Sequence, residues 1–447
     1  MAYLRSIPAL LKLPFTWDVM RLQAGTFIYS GVAVASSVIF ARVLGINGYG
    51  LYATVLAFVG TVTALLNFGQ GTALLVFFAE EYGKQSMEGM SRVLRSFIQV
   101  SLVNSAVLIL IAFVIPIFSE KLYPGSDIAR LARILLLYHA VDIGNSMVII
   151  ILQAVRKITV KVVLEQSQNI TFLVLAVVSL FLGKGIVGIV GSQLLTSILF
   201  LPIALTVYTI HRRSLHLPLI STTLRVPFKD TLAVAGQGLL FALEKNIGNL
   251  FPNGLFFALS LIAEPAAVGI ARIASQAATL PRSFILPQIG GLSLTVLSQL
   301  RAQGIKVLRQ SALEIVRHAV VLHLIVSAGA MVLFPPLLLI LYGSQYRDAI
   351  SITEWLIVLS IPASFCIVNS PLLRLLRKIH YSIFQAILTW IVLFGIVLGS
   401  SAMWTPHVAF TISYGIAYAA PLLLTLYLFF FLLPKKETSQ PRAWWIG

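Results

Sequence analysis

Cysteine and charge are the scarcest features of this sequence. Cys366 is the one cysteine in 447 residues, so the chain can form neither an intramolecular disulfide nor a multi-cysteine metal cluster. Charged residues make up 11% of the chain, and 15 residues are acidic. A soluble protein would place charge at helical spacing along its surface helices, yet the run 386–403 contains none. These absences exclude a disulfide-stapled fold and argue against a soluble one.

Sequence motifs typical of enzymes are also missing. The chain has no GxxxxGK[ST] nucleotide-binding loop, no GxSxG nucleophile turn and no HExxH zinc motif. Its seven histidines include no pair that would share a helical face. We therefore predict no catalytic residue, no metal site and no cofactor, and a function that is not enzymatic.

Long apolar runs dominate what the sequence does contain. Hydrophobic residues are 58% of the chain, and they cluster in runs of about 20, the length that an α-helix needs to cross a bilayer. Barrel strands would be shorter and would alternate in polarity. The sequence therefore predicts an all-α polytopic membrane protein with about 12 transmembrane helices. They are placed near residues 19–43, 49–79, 97–119, 128–153, 160–182, 186–210, 230–259, 266–298, 315–341, 348–375, 380–402 and 406–433.

Positive charge is unevenly distributed along the chain. Lysine and arginine outnumber acidic residues by 32 to 15, an excess that on a soluble chain would suggest nucleic acid. Here most of the basic residues lie in alternate loops between the predicted spans. The positive-inside rule then places both termini in the cytoplasm. Membrane lipids, and not nucleic acid, are the expected surroundings.

A glycine-rich stretch, ARVLGINGYGLY at residues 41–52, separates the first two predicted spans. Its glycines Gly45, Gly48 and Gly50 allow the backbone angles of a tight turn, and Arg42 lies at its mouth. The stretch predicts a membrane hairpin. We expect a second form of this hairpin near residues 258–272.

The two hairpins belong to an internal repeat. Gly50 pairs with Gly269, and Leu122 pairs with Leu341, at the same offset of 219 residues. A duplication of this kind predicts two parallel six-helix lobes around a central cavity, related by an axis along the membrane normal. The predicted divisions are an interfacial or cytoplasmic lead-in (1–18), an N-terminal lobe (19–210), a basic cytoplasmic linker (211–229), a C-terminal lobe (230–433) and a cytoplasmic tail (434–447).

Several of these motifs carry a family resemblance. They are ARVLGINGYGLYATVLAF at 41–58, NFGQGTA at 67–73, AEPAAVG at 263–269, and LYG at 341–343 with Tyr346. Together they resemble the polysaccharide transporter family, the Wzx-type flippases of the multidrug/oligosaccharidyl-lipid/polysaccharide exporter superfamily. The resemblance extends over nearly the whole chain.

The resemblance implies a flippase of the cytoplasmic (inner) membrane of a bacterium. Such a protein moves an undecaprenyl-pyrophosphate-linked oligosaccharide from the cytoplasmic to the periplasmic leaflet by alternating access, for surface polysaccharides such as O-antigen. The implied partners are the lipid-linked oligosaccharide, a coupling H⁺ or Na⁺, and a polysaccharide polymerase complex.

A pyrophosphate and sugar headgroup cannot cross hydrocarbon unaided, so its path needs a polar cavity that contains cations. The candidates are Lys245 in the seventh predicted span, Arg272 and Arg282 in the eighth, and Arg42 at the mouth of the first hairpin. The alternative for each is a structural role, in which the side chain pairs with a carboxylate or extends to the membrane interface.

The eighth predicted span also carries a polar stripe. Arg272, Gln276, Thr279 and Ser283 project within a narrow arc at helical spacing, which predicts a polar cavity wall. Arg282 points about 80° away from Arg272 and is expected to face a neighbouring helix.

Two acidic residues in the predicted spans are candidates for binding a coupling ion. Asp142 is the deepest of the acidic residues, and Glu244 is adjacent in sequence to the candidate cation at position 245. A carboxylate in a membrane span is suited to bind a proton or a sodium ion. The alternative for Asp142 is an ion pair with Arg130, Arg133 or Arg272.

Two other functions stay open on the sequence alone. A cation-coupled multidrug exporter of the same superfamily would favour carboxylates for its cationic substrates. A scaffold of a polysaccharide-assembly complex would not transport at all. The basic residues Lys245 and Arg272 favour an anionic lipid-linked substrate.

Overall fold

The described part of the chain is helical and contains no strand. A computed structural model describes residues 14–66, 70–123, 127–219, 251, 253–300, 304–376, 378, 380–399 and 404–433. The helices are α1 (Pro14–Leu66), α2 (Gln70–Gly83), α3 (Met87–Leu122), α4 (Ile128–Ala154), α5 (Ile158–Phe181), α6 (Gly185–Leu215), α7 (Asn253–Ile262), α8 (Pro265–Leu300), α9 (Ile305–Tyr342), α10 (Asp348–Ser360), α11 (Pro362–Phe365), α12 (Asn369–Leu375), α13 (His380–Gly399), α14 (Pro406–Ala419) and α15 (Pro421–Tyr427).

The helices confirm an all-α membrane protein. Nine segments of the described residues are long and apolar enough to cross a bilayer, and the first of them, Met20–Leu66, contains all but one residue of the first predicted span and most of the second. Helix α8, with 36 residues, occupies the eighth predicted span. Most of the seventh predicted span, 230–259, lies outside the described residues, and α7 covers its end. The chain is thus a multi-pass membrane protein.

Helix α1 folds back on itself at Gly45. This glycine has φ 70° and ψ 179°, whereas the residues on both sides are helical. The rings of Phe40 and Tyr52 lie 5.8 Å apart, although twelve residues of unbroken helix would separate them by about 18 Å. Phe40 also packs edge-on against Phe172 of α5. A single glycine therefore makes the first hairpin, and the chain needs no loop there.

The second hairpin uses a different turn. Helix α7 ends at Ile262 and α8 begins at Pro265, so the break lies at Ala263 and Glu264. Proline suits the first turn of a helix because its missing N–H has no intrahelical partner there. The Glu264 carbonyl accepts hydrogen bonds from the Ala267 and Val268 amides at 3.0 and 3.3 Å. The two hairpins thus have different backbone geometry.

Prolines divide the tenth and twelfth predicted spans into shorter helices. Pro362 begins α11, and Pro421 begins α15. A proline removes one backbone donor and frees a carbonyl. Asn369 donates to the Pro421 carbonyl at 3.1 Å, and Thr425 donates to the Asn369 side-chain oxygen at 3.0 Å. These bonds between α12 and α15 supply partners for polar groups within the apolar span.

The chain divides into two compact units, unit 1 (Met1–Gly254) and unit 2 (Leu255–Gly447). The core of unit 1 joins α2 to α6 around Phe78, Leu94 and Ile151, which are fully buried. The core of unit 2 joins α8, α9, α12 and the end of the last span. The residue boundaries that the sequence suggests for the two lobes stay a prediction.

Candidate functional site

Arg272 lies on α8 against an aromatic ring of α7. Its guanidinium carbon is 5.0 Å from the ring centroid of Phe256, which is 2% exposed. The arginine is half-buried, in a stretch whose neighbours Ala271 and Ile273 are fully buried. An aromatic face attracts a cation electrostatically without neutralising it. The fold of the second hairpin creates this contact, because α7 and α8 run back along one another.

Arg282 lies ten residues further along α8, about 15 Å along the helix axis. Its guanidinium carbon is 4.6 Å from the ring centroid of Tyr418 on α14. It also lies within electrostatic range of His323 on α9 and of Tyr414. Arg282 thus contacts a neighbouring helix, the direction expected from its position on α8.

A row of aromatic rings, which we call the aromatic ladder, extends from the ring that contacts Arg272 to the ring that contacts Arg282. It consists of Phe256, Phe410, Tyr414 and Tyr418, with successive ring centroids 5.2, 6.2 and 4.6 Å apart. The last three residues recur every four positions on α14 and therefore share one face of that helix. All four side chains are buried. The ladder presents a ring to Arg272 at one end and to Arg282 at the other.

The two arginines are held without acidic partners in the part of the chain described. No carboxylate oxygen there lies within 4.0 Å of either guanidinium. The described ion pairs lie in unit 1, between neighbours on one helix or its end, as in Lys161–Glu165 at 2.8 Å. Among the described residues, the two charges on α8 thus contact aromatic rings, which attract a cation without neutralising it.

The polar stripe of α8 lies on a continuous helix. Gln276 and Thr279 are half-buried, and Ser283 is exposed. The Thr279 hydroxyl donates to the Gln276 carbonyl, and the Ser283 hydroxyl donates to the Leu280 carbonyl, both at 2.9 Å. Each hydroxyl proton is thus used within the helix, which leaves the oxygen lone pairs as acceptors on this surface. Whether the stripe lines a substrate path stays a prediction.

Asp142 on α4 is the centre of a polar cluster in unit 1. Its Oδ1 accepts hydrogen bonds from Gln168 of α5 at 2.9 Å, Ser197 of α6 at 3.0 Å and Asn145 at 3.3 Å. Its Oδ2 accepts one longer bond, from Ser146 at 3.4 Å. We call these five residues the Asp142 cluster.

The Asp142 cluster contains a carboxylate that is solvated by neutral donors. No arginine or lysine of the described residues lies within 4.0 Å of it, and the sequence alternatives Arg130 and Arg133 are exposed. The Asn145 side chain is 1% exposed, and its Oδ1 has no hydrogen-bond donor there. Two oxygen acceptors, Oδ2 of Asp142 and Oδ1 of Asn145, thus retain capacity for a proton or a small cation.

Arg42, a further predicted site residue, belongs to neither of these two groups. Arg42 is exposed on the first arm of α1, three residues before the break at Gly45. Lys245 and Glu244 lie outside the described residues.

The sequence alone did not identify the aromatic ladder or the contacts of Asp142 with Asn145 and Ser197. The four-residue spacing of the α14 aromatics was a usable signal, as was the position of Asn145 three residues after Asp142. Ser197 had no such signal, because it is 55 residues from Asp142 and on another helix.

A comparison with protein families decides the assignment of the chain. Residues 18–301, more than half of its length, match the family model described as "Polysaccharide biosynthesis protein". The chain belongs to the polysaccharide biosynthesis protein family. No curated protein matches this family member.

The fold of this family member is that of MATE transporters. It is similar to an inward-facing multidrug resistance MATE family transporter of the MOP superfamily, with a TM-score of 0.74 and 18% identity over 95% of this chain and 100% of that chain. An outward-facing transporter of the same description gives a TM-score of 0.67 at 18% identity over 92% of this chain and 94% of that chain. A third similar structure is a MOP superfamily transporter from Pyrococcus furiosus Vc1, described by the reverse polarity of its binding pocket. It gives a TM-score of 0.65 at 18% identity over 92% of this chain and 94% of that chain. At this identity the similarity shows the fold alone: all-α, with about twelve helices in two lobes.

Proposed function

We propose that this protein is a flippase that moves a polyprenyl-diphosphate-linked oligosaccharide across the cytoplasmic membrane of a bacterium for surface polysaccharide biosynthesis. The observation that carries the proposal is the pair of α8 arginines, held by aromatic rings rather than by described carboxylates. The family assignment supports polysaccharide biosynthesis as the process, and the fold supports membrane transport as the activity.

The chemistry of the α8 surface favours an anionic headgroup. Arg272 and Arg282 offer forked N–H donors of the kind that bind phosphate oxygens in pairs. Between them, Gln276 and Thr279 offer an amide and a hydroxyl oxygen, groups that hydrogen-bond to sugar hydroxyls. Two cations about 15 Å apart along one helix would let a diphosphate pass between charged positions without entering bare hydrocarbon.

We propose Asp142 as the site of the coupling ion. A lone carboxylate oxygen with spare acceptor capacity is suited to a proton or to Na⁺, and the cluster supplies further oxygen ligands from Asn145 and Ser146. Proteins of this fold occur in both inward-facing and outward-facing conformations, which supports alternating access as the mechanism. Both termini are proposed to be cytoplasmic, on the distribution of lysine and arginine.

The decisive experiment neutralises Arg272. The purified protein is reconstituted in liposomes with a fluorescent polyprenyl-diphosphate oligosaccharide, and the labelled lipid in each leaflet is measured with a membrane-impermeant quencher. Loss of one charged hydrogen bond costs about 1.5–3 kcal/mol, so Arg272→Gln should move the lipid roughly tenfold to a hundredfold more slowly. Arg133→Gln, an exposed arginine of α4, is the matched control and should behave as wild type.

The same reconstitution separates the two competing functions. A multidrug exporter would accumulate a lipophilic cation such as tetraphenylphosphonium, and Arg272→Gln would not slow that uptake. A scaffold would move neither molecule in liposomes. Either result, or an Arg272→Gln variant that flips the lipid at the wild-type rate, would contradict the proposed function.

A further inference from the structure

A buried histidine of α9 has a ring nitrogen without a hydrogen-bond partner. His323 is 0% exposed, and its Nε2 lies 3.4 Å from the hydroxyl of Ser360 on α10. That hydroxyl donates its proton to the Ile357 carbonyl at 2.7 Å. It therefore accepts from Nε2, and Nε2 carries the hydrogen of the neutral ring. The lone pair of Nδ1 then meets no donor in the described part of the chain, which is costly for a buried acceptor unless something binds there.

Ser327 supplies an oxygen one helical turn from this ring. It follows His323 by four residues, lies on the same face of α9 and is 3% exposed. Its hydroxyl also lacks a hydrogen-bond partner among the described residues. A protonated imidazole donates from both nitrogens. Ser360 accepts from Nε2, and helical spacing places Ser327 to accept from Nδ1, so the surroundings suit a charged ring better than a neutral one.

Arg282 is the charged group that acts on His323. Helix α9 packs against α8, α10, α11 and the turn at residues 344–346. The titratable groups that these elements carry are Arg272, Arg282, Tyr346, Asp348 and Glu354. Among these described residues, Arg282 is the one whose charge reaches the ring. The nearest titratable residue on α9 itself is His318, which is exposed and donates to the Glu314 carbonyl at 2.7 Å. A positive charge on His323 is thus opposed by Arg282 until an anion binds there.

The charge of a linked diphosphate exceeds what one arginine neutralises. A diphosphate that joins a prenyl chain to a sugar has an ionised oxygen on each phosphorus, whereas Arg282 carries a single positive charge. Arg272 lies about 15 Å away along α8 and does not supply the second charge at this position. Uncompensated charge is costly away from water. A proton on His323 would complete the balance.

We propose that His323 takes up a proton when the diphosphate headgroup binds at Arg282, and that the imidazolium supplies the second positive charge of this site. This proposal rests on the proposed function. The proton comes from solvent and forms the Nδ1–H bond, and no other bond changes. Linkage is reciprocal, so protonation strengthens headgroup binding by the same factor as the headgroup strengthens protonation. Binding is therefore tighter in acid and weakens as the pH rises and the ring loses its proton. Asp142 lies in unit 1 and is a separate site.

The test measures binding of farnesyl-diphospho-glucose to the full-length protein in phosphatidylcholine nanodiscs between about pH 5.5 and 8.5, the range in which histidine exchanges protons. Both phosphates of this diester stay ionised throughout, whereas a monoester would itself titrate near pH 6. The affinity of wild type should fall by roughly fivefold or more from the acidic to the alkaline end, as for typical coupled sites. Calorimetry in two buffers of different ionisation enthalpy should record proton uptake on binding. An affinity independent of pH, with no proton uptake, would overturn the proposal.

Variants of α9 identify the proton site. His323→Gln should bind the probe with one affinity at every pH, close to that of wild type at the alkaline end. His318→Gln, the matched control, should keep the wild-type pH dependence, as should Asp142→Asn in unit 1. Ser327→Ala removes the expected acceptor of Nδ1–H and should shift the fall in affinity to lower pH.

The alternative occupant of the site is a structural water. A His323→Gln protein that unfolds at a lower SDS fraction but keeps the wild-type pH dependence would show that His323 holds only such a water, and the proposal would be wrong. If His323→Gln does not fold, Ser327→Ala and the proton uptake of wild type decide the question.

The failures of the two proposals differ. If Arg282→Gln weakens binding of the probe but wild type binds it without any pH dependence, the His323 assignment is wrong and the flippase stands. If the probe does not bind, or binds equally well to a variant carrying both Arg272→Gln and Arg282→Gln, both proposals are wrong.

Discussion

Replacing Gly45 with alanine should destabilise the protein through its backbone alone. At φ 70° and ψ 179° this residue occupies a region of backbone angles that is essentially restricted to glycine. An added Cβ would meet nothing within 4 Å, so no steric clash with neighbouring side chains contributes. Holding a residue with a Cβ in this region costs about 1–3 kcal/mol, and we expect Gly45→Ala to lose that amount.

Gly31 is the matched control on the same arm of α1. Its backbone is helical, and an added Cβ there also meets nothing within 4 Å. Alanine is favoured over glycine in a helix by about 0.8–1.0 kcal/mol, so Gly31→Ala should be neutral or stabilising. The two variants, with identical chemistry, should therefore differ by about 2–4 kcal/mol.

The assay is unfolding of the purified protein in mixed micelles with increasing mole fraction of SDS, followed by tryptophan fluorescence. Gly45→Ala should unfold at a lower SDS fraction than wild type, and Gly31→Ala at the same or a higher one. A Gly45→Ala protein as stable as Gly31→Ala would refute the inference that one glycine makes the hairpin, because the turn would then tolerate an ordinary residue.

Two further predictions test the candidate sites. Tyr418→Leu keeps an apolar side chain but removes the ring beneath Arg282. A cation–π contact is worth up to about 2 kcal/mol when desolvated, so lipid flipping in liposomes should slow by up to about thirtyfold. Tyr418→Phe keeps the ring and should flip lipid near the wild-type rate, and an equal loss in both variants would contradict the cation–π assignment. Asp142→Asn keeps the size of the side chain but removes its charge. The stimulation of flipping by an imposed H⁺ or Na⁺ gradient should therefore disappear, while slow flipping without a gradient persists. A variant that still responds to the gradient would exclude Asp142 as the coupling site.

The positions of the helix breaks were predictable from short patterns. Gly45 and the Glu264-Pro265 pair are local signals, and the structure breaks the helices at both places. The sequence could not show how the backbone turns there. It also could not show that Pro362 and Pro421 divide apparently single spans, because membrane helices often continue through proline when neighbouring helices satisfy the freed carbonyl.

The candidate sites were predictable in their charges but not in their contacts. Arg272, Arg282 and Asp142 stand out in any apolar sequence because charge in a span is costly. Helical periodicity indicates which residues share a face of one helix. It does not indicate which helix will lie opposite that face.

The sequence by itself determined the class of protein, most of the apolar spans, the glycine that reverses the first helix and the few charged residues within the spans. These follow from lipid solvation and backbone sterics, which act over a single turn or a single span. Only the tertiary structure decided that Arg282 meets the ring of Tyr418, that Asp142 meets Gln168 and Ser197, and that His323 meets Ser360. Those contacts join residues far apart in the chain, and they depend on how helices pack, which no local pattern encodes.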